Sequence, residues 1–422
     1  MSLFSRAAGQ AGRMFRYGVS ILKWAALAGV LGILCGAVGS GFWHLLHFIA
    51  ARFAKQPEFI LLLPAAGLII VLFYHLLRLE NNKGTNEIID AVRDEKTLSP
   101  LIAPLIFIST AITHLFGGSA GKEGAALQMG GAIGSWLSRL FRLSADDGRV
   151  MVLCGMAGLF AAVFGTPVTA VIFVIEFVCV GIIYDAALFP GLLTALASVY
   201  VSHRLGVHAA GYAIGDIPAL SPMLVIQVGV IAFAAALVSI VFCLLSEGIA
   251  HVSRKFFPNP FLRVLVGGLL LVGLTLCLGS AAYSGTGSDL IDAAFAGTAI
   301  PVGAFAMKMV FTAITMNTGF KGGEIVPSFC IGATLGCTLA PLVGLSPAFG
   351  AAIGLVSLFC GVTNAPIASL ILGVELFGGK AFLPLAIACF ASYIFSGSQS
   401  LYSSQHFIYS KFGKSVMPPP EK

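Results

Sequence analysis

Apolar stretches run through this chain almost end to end, and that limits its fold more than any other feature. They cover roughly residues 24–50, 58–78, 100–117, 124–141, 150–183, 186–203, 221–250, 261–282, 299–318, 325–345, 349–377 and 381–398. Of the 422 residues, 58% are hydrophobic and 10% are charged. Soluble domains carry about 25% charge, so lipid rather than water surrounds most of this chain. A backbone in hydrocarbon must satisfy its own hydrogen bonds, and long apolar runs do so as helices. The expectation is an all-α integral membrane protein. A simple spanning helix takes about 20 residues. Several stretches fall short of that, and two, 150–183 and 349–377, exceed it and contain Pro167 and Pro366. Proline breaks or kinks a helix. Broken helices survive at membrane depth only where protein or a cavity surrounds them.

The formal charge of +6 is modest, and its basic residues cluster at the ends and in loops. That pattern orients a protein in a bilayer and gives no reason to expect nucleic acid. Arg6, Arg13, Arg16 and Lys23 precede the first apolar stretch, and Lys411, Lys414 and Lys422 follow the last. Both termini are therefore expected in the cytoplasm, with a multi-pass domain over 21–410 in the cell inner (plasma) membrane. Residues 1–20 would form a basic amphipathic surface segment and 411–422 a short tail. The run from Trp24 to Ile49 exceeds the about 7–15 apolar residues of a signal peptide, so it is expected to be retained. The nine cysteines sit singly in apolar stretches. They carry no metal spacing, and neither metal nor cofactor is expected.

An internal repeat organises the chain. Gly158–Phe177 reads GLFAAVFGTPVTAVIFVIEF and Ser357–Phe377 reads SLFCGVTNAPIASLILGVELF. Pro167 aligns with Pro366, and Glu176 with Glu375. Upstream, GKEGAALQMGGA (121–132) aligns with GGEIVPSFCIGA (322–333), pairing Glu123 with Glu324. The matching order predicts duplicated halves near 80–200 and 280–398. Repeats with Gly- and Pro-broken segments at corresponding positions point to a transporter with its site near the midplane. Glu176 and Glu375 then fit a structural role between the halves.

The chemistry concentrates in four places. In GGSAGKEG (117–124), four glycines precede a helix-like run. Glycine-rich backbone and a helix N-terminus together make an anion site without a full cation. Gly121 and Gly124 are candidate contacts. Glu123 at this point would act either as a gate that occupies the anion position until protonated, or as a plain helix cap. KGGEIVPSF (321–329) repeats the pattern, with Pro327 near the first turn. Glu324 would carry protons, pair with a cation or cap the helix. NNKGTNEI (81–88) offers the Thr85 hydroxyl and the Asn86 amide, and taken alone reads as a solvated loop. SGSQSLYSSQHF (396–407) places Tyr402 beyond an apolar segment, where an interfacial tyrosine is the ordinary reading.

These motifs carry a family resemblance. GKEGAALQMGG resembles the GREGP motif of CLC chloride channels and anion/proton antiporters. GMAGLFAAVFGTPVTAVIFVIE is similar to their GxAAAFNAPLAGxxFxxE segment, and KGGEIVPSFCIGA to their GxFxPxxxxGA motif. KGTNEI stands in the place of GSGIP, and SLYS in the place of the pore tyrosine. The order agrees over about residues 20–410. The resemblance implies a homodimer with one pore per subunit and halves arranged as inverted repeats. It implies Glu123 as gating glutamate, Thr85 and Tyr402 as hydroxyl ligands of the anion, and the Ile325 and Val326 amides as the remaining contacts. With no soluble stretch after residue 410, no cytoplasmic nucleotide-binding pair is expected.

Departures from the family pattern shape the function. Lys122 replaces an arginine, Ala125 a proline, and Phe177 the internal proton-transfer glutamate of many antiporters. Glu324 and Gly84-Thr85-Asn86 resemble the fluoride-exporting branch, whereas Val326 and Thr85 depart from it. The sequence reading is transport of chloride with proton antiport. Fluoride/proton antiport is the alternative and a passive chloride channel the second. Gly117-x-Ser119-x-Gly121 also matches a serine-hydrolase motif, but a nucleophile needs a nearby base, and His114 stands only five residues upstream on no obvious facing helix. The chain is expected not to be an enzyme.

Overall fold

The structure is a computed structural model, and it describes residues 3–94, 96–208, 211–411 and 413–416. Sixteen α-helices occur among them, eight in each half of the chain. The first half comprises α1 (Leu3–Lys55), α2 (Leu63–Leu76), α3 (Thr85–Asp94), α4 (Ile102–Leu115), α5 (Glu123–Leu140), α6 (Ala145–Phe164), α7 (Pro167–Glu176) and α8 (Leu188–Arg204). The second comprises α9 (Pro222–Phe256), α10 (Pro260–Leu278), α11 (Ser288–Phe295) and α12 (Ala304–Thr318). It continues with α13 (Ile325–Leu339), α14 (Pro347–Thr363), α15 (Pro366–Phe377) and α16 (Phe382–Phe395). Among the described residues, seven helical spans are long and apolar enough to cross a membrane.

Helix α9 shows what solvent the surface is built for. Its exposed face carries Ile226, Val230, Phe233, Leu237, Val241 and Leu244, while Ala232, Ala235, Ala236 and Ser239 face inward. Large apolar side chains outside and small ones inside suit a helix packed in lipid. In water such a surface would aggregate.

The halves repeat each other's packing. Gly130 and Gly134 of α5 lie so close to α6 that a Cβ on either would strike the Gly155 or Met151 carbonyl. In the second half Gly332 and Gly336 of α13 meet the Gly354 and Gly350 carbonyls of α14 in the same way. The expected breaks occur. Gly165 (φ 73°) ends α6, and Asn364 (φ 56°) ends α14, each just ahead of the proline that starts the next helix.

Helices α7 and α15 meet through reciprocal carboxylates. Glu176, at the end of α7, accepts from the Ile367 (3.1 Å) and Ala368 (2.8 Å) amides that open α15. Glu375, near the end of α15, accepts from the Val168 (3.1 Å) and Thr169 (2.9 Å) amides that open α7. Each carboxylate satisfies orphan N–H groups and sits at the positive end of the other helix. The structural role expected of this pair is what the geometry shows.

Some local expectations differ from the structure. Helix α1 runs unbroken across residue 20, so no boundary separates an N-terminal segment there. Residues 81–88 do not form an open loop, because α3 begins at Thr85 and buries it. His251 lies within α9, which continues beyond the expected end at 250. Cys277 is exposed, whereas the other eight cysteines are buried. The expected tail over 411–422 falls mostly outside the described residues. Lys411 is held by Asn364 Oδ1 (2.7 Å), the Tyr393 carbonyl (2.7 Å) and Ser396 Oγ (3.1 Å).

Candidate anion site

The two glycine loops that precede α5 and α13 are joined directly. Gly121 N–H donates to the Gly323 carbonyl at 2.7 Å, and Gly323 N–H donates to the Gly121 carbonyl at 3.0 Å. This two-bond bridge brings both helix N-termini to one point. Glycine on both strands of the bridge leaves room for the Glu123 carboxylate. A Cβ on Gly323 would stand 2.6 Å from Glu123 Oε1, and one on Gly121 would collide with the same carboxylate.

The Glu123 side chain therefore lies folded over the bridge. It is fully buried, and neither oxygen has a hydrogen-bond partner among the described residues. With both oxygens unpartnered it makes no hydrogen-bonded cap to its own helix, which removes the plain capping role. The oxygens approach the Ile325 and Val326 amides of α13, short of hydrogen-bond geometry. Those are the amides that the family resemblance assigns to the anion. Glu324, the N-cap residue of α13, likewise makes no side-chain cap. Glu324 directly follows Gly323 of the bridge, so it stands at the start of the same helix whose amides face Glu123.

The remaining predicted residues arrive from distant elements. A Cβ on Gly124 would stand 3.3 Å from Thr85 Oγ1 and 2.8 Å from the Gly322 carbonyl, so the starts of α3, α5 and α13 converge. Tyr402 is 2% exposed and its hydroxyl has no partner among the described residues. Its ring meets Phe177 edge-on at 5.4 Å, and Phe177 in turn stacks on Phe173 at 4.5 Å. The structure thus brings Thr85, Gly121, Glu123, Gly124, Glu324, Ile325 and Val326 to one region, and it buries Tyr402 against Phe177. The interfacial-belt reading of Tyr402 is excluded by its burial.

Of the residues that support this region, sequence singled out Asn86 but not Arg93, Ser404, Gln405 or Lys308. Asn86 Oδ1 accepts from Ser404 N–H at 2.9 Å, and Arg93 donates to the Ser404 carbonyl at 3.0 Å. Gln405 donates to the Phe177 (2.6 Å) and Thr363 (2.8 Å) carbonyls. Together they fix the segment that presents Tyr402. Lys308 of α12 is fully buried, and its ammonium donates to the Tyr283 (3.1 Å) and Gly285 (2.7 Å) carbonyls. The Gly285 carbonyl also accepts from Ala120 N–H at 3.2 Å, so Lys308 anchors the loop ahead of Glu123. A lone lysine inside an apolar segment was the available signal. Ser119, the residue of the hydrolase coincidence, shares its hydroxyl with Thr312 Oγ1 at 3.0 Å rather than with a histidine.

Comparison with known proteins agrees with this geometry. Residues 66–397 match the family described as voltage gated chloride channel. The chain belongs to that family, the CLC family. A chloride/fluoride channel protein of Pseudomonas syringae pv. tomato is 37% identical over 404 residues, spanning 93% of this chain and 88% of that protein. The crystal structure of a CLC-type fluoride/proton antiporter superposes with a TM-score of 0.89 at 32% identity, covering 92% of this chain and 98% of that one. An H(+)/Cl(-) exchange transporter ClcA of Yersinia pseudotuberculosis is 26% identical over 440 residues, with 94% and 91% of the two chains covered. The fold is therefore the CLC membrane fold.

Proposed function

We propose that this CLC protein exchanges fluoride for protons across the membrane, with Glu123 as the gate. The observation that carries the reading is the buried Glu123 carboxylate, unpartnered among the described residues and folded against Gly323 beside the Ile325 and Val326 amides, with Glu324 at the N-cap of the same helix. A carboxylate folded onto those amides competes with an anion for the same donors. Protonation removes its charge, which frees the amides and moves one proton with each gate opening. Fluoride is small and strongly hydrated, so it needs strong donors, and a protonated carboxyl such as Glu324 supplies one. The relatives at 37% and 32% identity, one named for chloride and fluoride and one for fluoride/proton antiport, support the same choice. Function as a homodimer with one pore per subunit belongs to this proposal.

Chloride is the second reading, and it rests on the Thr85 hydroxyl at the convergence point. Efflux from liposomes holding the purified protein separates the two. Fluoride and chloride are loaded in separate preparations while external pH is recorded. Fast fluoride efflux with proton uptake, abolished in Glu123→Gln, is the expected result. Fast chloride efflux selects the second reading. Efflux without proton movement makes the protein a channel, in keeping with Phe177 at the inner-glutamate position. No flux of either halide sinks the transport assignment.

A further inference from the structure

Helix α12 turns a polar stripe toward the loop that leads into Glu123. Lys308, Thr312 and Thr315 follow one another at helical spacing, so they share one face, and all three are fully buried. The Thr315 hydroxyl donates to the Phe311 carbonyl at 2.8 Å, one turn back, which leaves its oxygen to accept from Ser119 N–H at 3.1 Å. Thr312 Oγ1 meets Ser119 Oγ at 3.0 Å. Lys308 holds the Gly285 carbonyl at 2.7 Å, and that carbonyl accepts from Ala120 N–H at 3.2 Å. Gly121 N–H donates to the Gly323 carbonyl at 2.7 Å. The consecutive amides of Ser119, Ala120 and Gly121 thus all donate to acceptors in the second half of the chain.

The loop of the second half is held in return. Thr113 of α4 donates to the Ser109 carbonyl at 3.0 Å and accepts from Lys321 N–H at 3.2 Å. Thr113 and Thr315 therefore play the same part in the two repeats, each holding the loop of the other. The symmetry stops at Lys308. Helix α4 contains no lysine, so its side of the exchange has no buried ammonium.

This arrangement bears on the gate. The Glu123 carboxylate has no hydrogen-bond partner among the described residues. A side chain without bonds of its own takes its place from the backbone that carries it and from the walls it rests on. Here the wall is the Gly121–Gly323 bridge, and the backbone is the continuation of the same loop. A buried N–H that loses its acceptor is costly, so the loop stays where α12 holds it. We propose that Lys308, Thr312 and Thr315 are positioning residues for the Glu123 gate, holding from the second half of the chain the loop that sets where its carboxylate rests. This role rests on the reading of Glu123 as the gate.

The test is halide efflux from liposomes with external pH recorded, run on wild type, Thr315→Val, Thr315→Ser and Lys308→Met, with thermal unfolding of each purified protein. Thr315→Val keeps the shape of the side chain and removes the acceptor of Ser119 N–H, whereas Thr315→Ser keeps that acceptor. Losing one buried hydrogen bond shifts an equilibrium about fivefold. Thr315→Val should therefore raise the share of halide that leaves without a proton about fivefold, while Thr315→Ser stays near wild type. Lys308→Met should raise that share further, and Thr315→Val decides the matter if Lys308→Met fails to fold. An unchanged share in Thr315→Val, or an equal rise in Thr315→Ser, overturns the proposal. So does a lowered unfolding midpoint with an unchanged share, which makes these ordinary core side chains. If wild type moves no protons, the antiport reading alone fails, and the total efflux rate decides instead. A rise in Thr315→Val without one in Thr315→Ser then upholds the positioning role, and equal rates overturn it.

Discussion

Replacing Tyr402 by Phe separates a ligand from a structural side chain. The Tyr402 hydroxyl is buried and unpartnered among the described residues. A buried hydroxyl that bonds nothing has lost its water without compensation, a cost of about 1–3 kcal/mol. Deleting it should therefore leave stability unchanged or raise it by about 1 kcal/mol, since the Phe ring keeps the Phe177 contact. The effect on the anion should run the opposite way. A hydrogen bond to a charged group is worth about 1.5–3 kcal/mol, and each 1.4 kcal/mol is tenfold in affinity. Tyr402→Phe should weaken halide binding about 10- to 100-fold. Calorimetric titration of the solubilised protein with fluoride or chloride reads the affinity, and thermal unfolding followed by tryptophan fluorescence reads the stability. A variant that binds normally and melts early would refute the reasoning, because the hydroxyl would then belong to the core.

Other positions test the same geometry. Gly121→Ala places a Cβ against the Glu123 carboxylate, the nearest group to it; it should expel the carboxylate, raise anion leak and uncouple protons, seen as a lower proton-to-anion ratio in liposome flux. Asn86→Ala frees the Ser404 amide and should weaken anion binding several-fold in the same titration while Tyr402 is retained. Glu176→Ala strips two amides of α15 of their acceptor. It should cost about 2–4 kcal/mol, read as a lower unfolding midpoint, with Glu375→Ala similar and the pair showing strong coupling.

Much of this architecture is legible without coordinates because it obeys one-dimensional rules. Apolar runs longer than a soluble helix needs declare the bilayer. Pro167 and Pro366 cannot continue a helix, so the breaks after Gly165 and Asn364 follow from residue type. The aligned glutamates Glu176 and Glu375 marked a symmetric contact before its form was known. Glycines ahead of Glu123 and Glu324 located both helix starts, since closely approaching backbone tolerates no Cβ.

What the sequence leaves open depends on segments that meet from far apart. Asn86 and Ser404 are 318 residues apart, and their bond turns an apparent loop and an apparent belt tyrosine into one buried site. The residues at 81–88 are polar enough to prefer water, and only the surrounding helices bury Thr85. Lys308 and Lys321 look like isolated charges in sequence. Whether such a charge anchors a loop, as Lys308 does at Gly285, or rests on an aromatic ring, as Lys321 does on Tyr74, is fixed by which partners the fold places within reach. Sequence therefore determined the solvent, the helices, the repeat and the likeness to the CLC family, all of them consequences of local composition and spacing. The tertiary structure alone decided which polar groups lost water together, and the cost of an unpaired buried group is what makes such a gathering a candidate anion site.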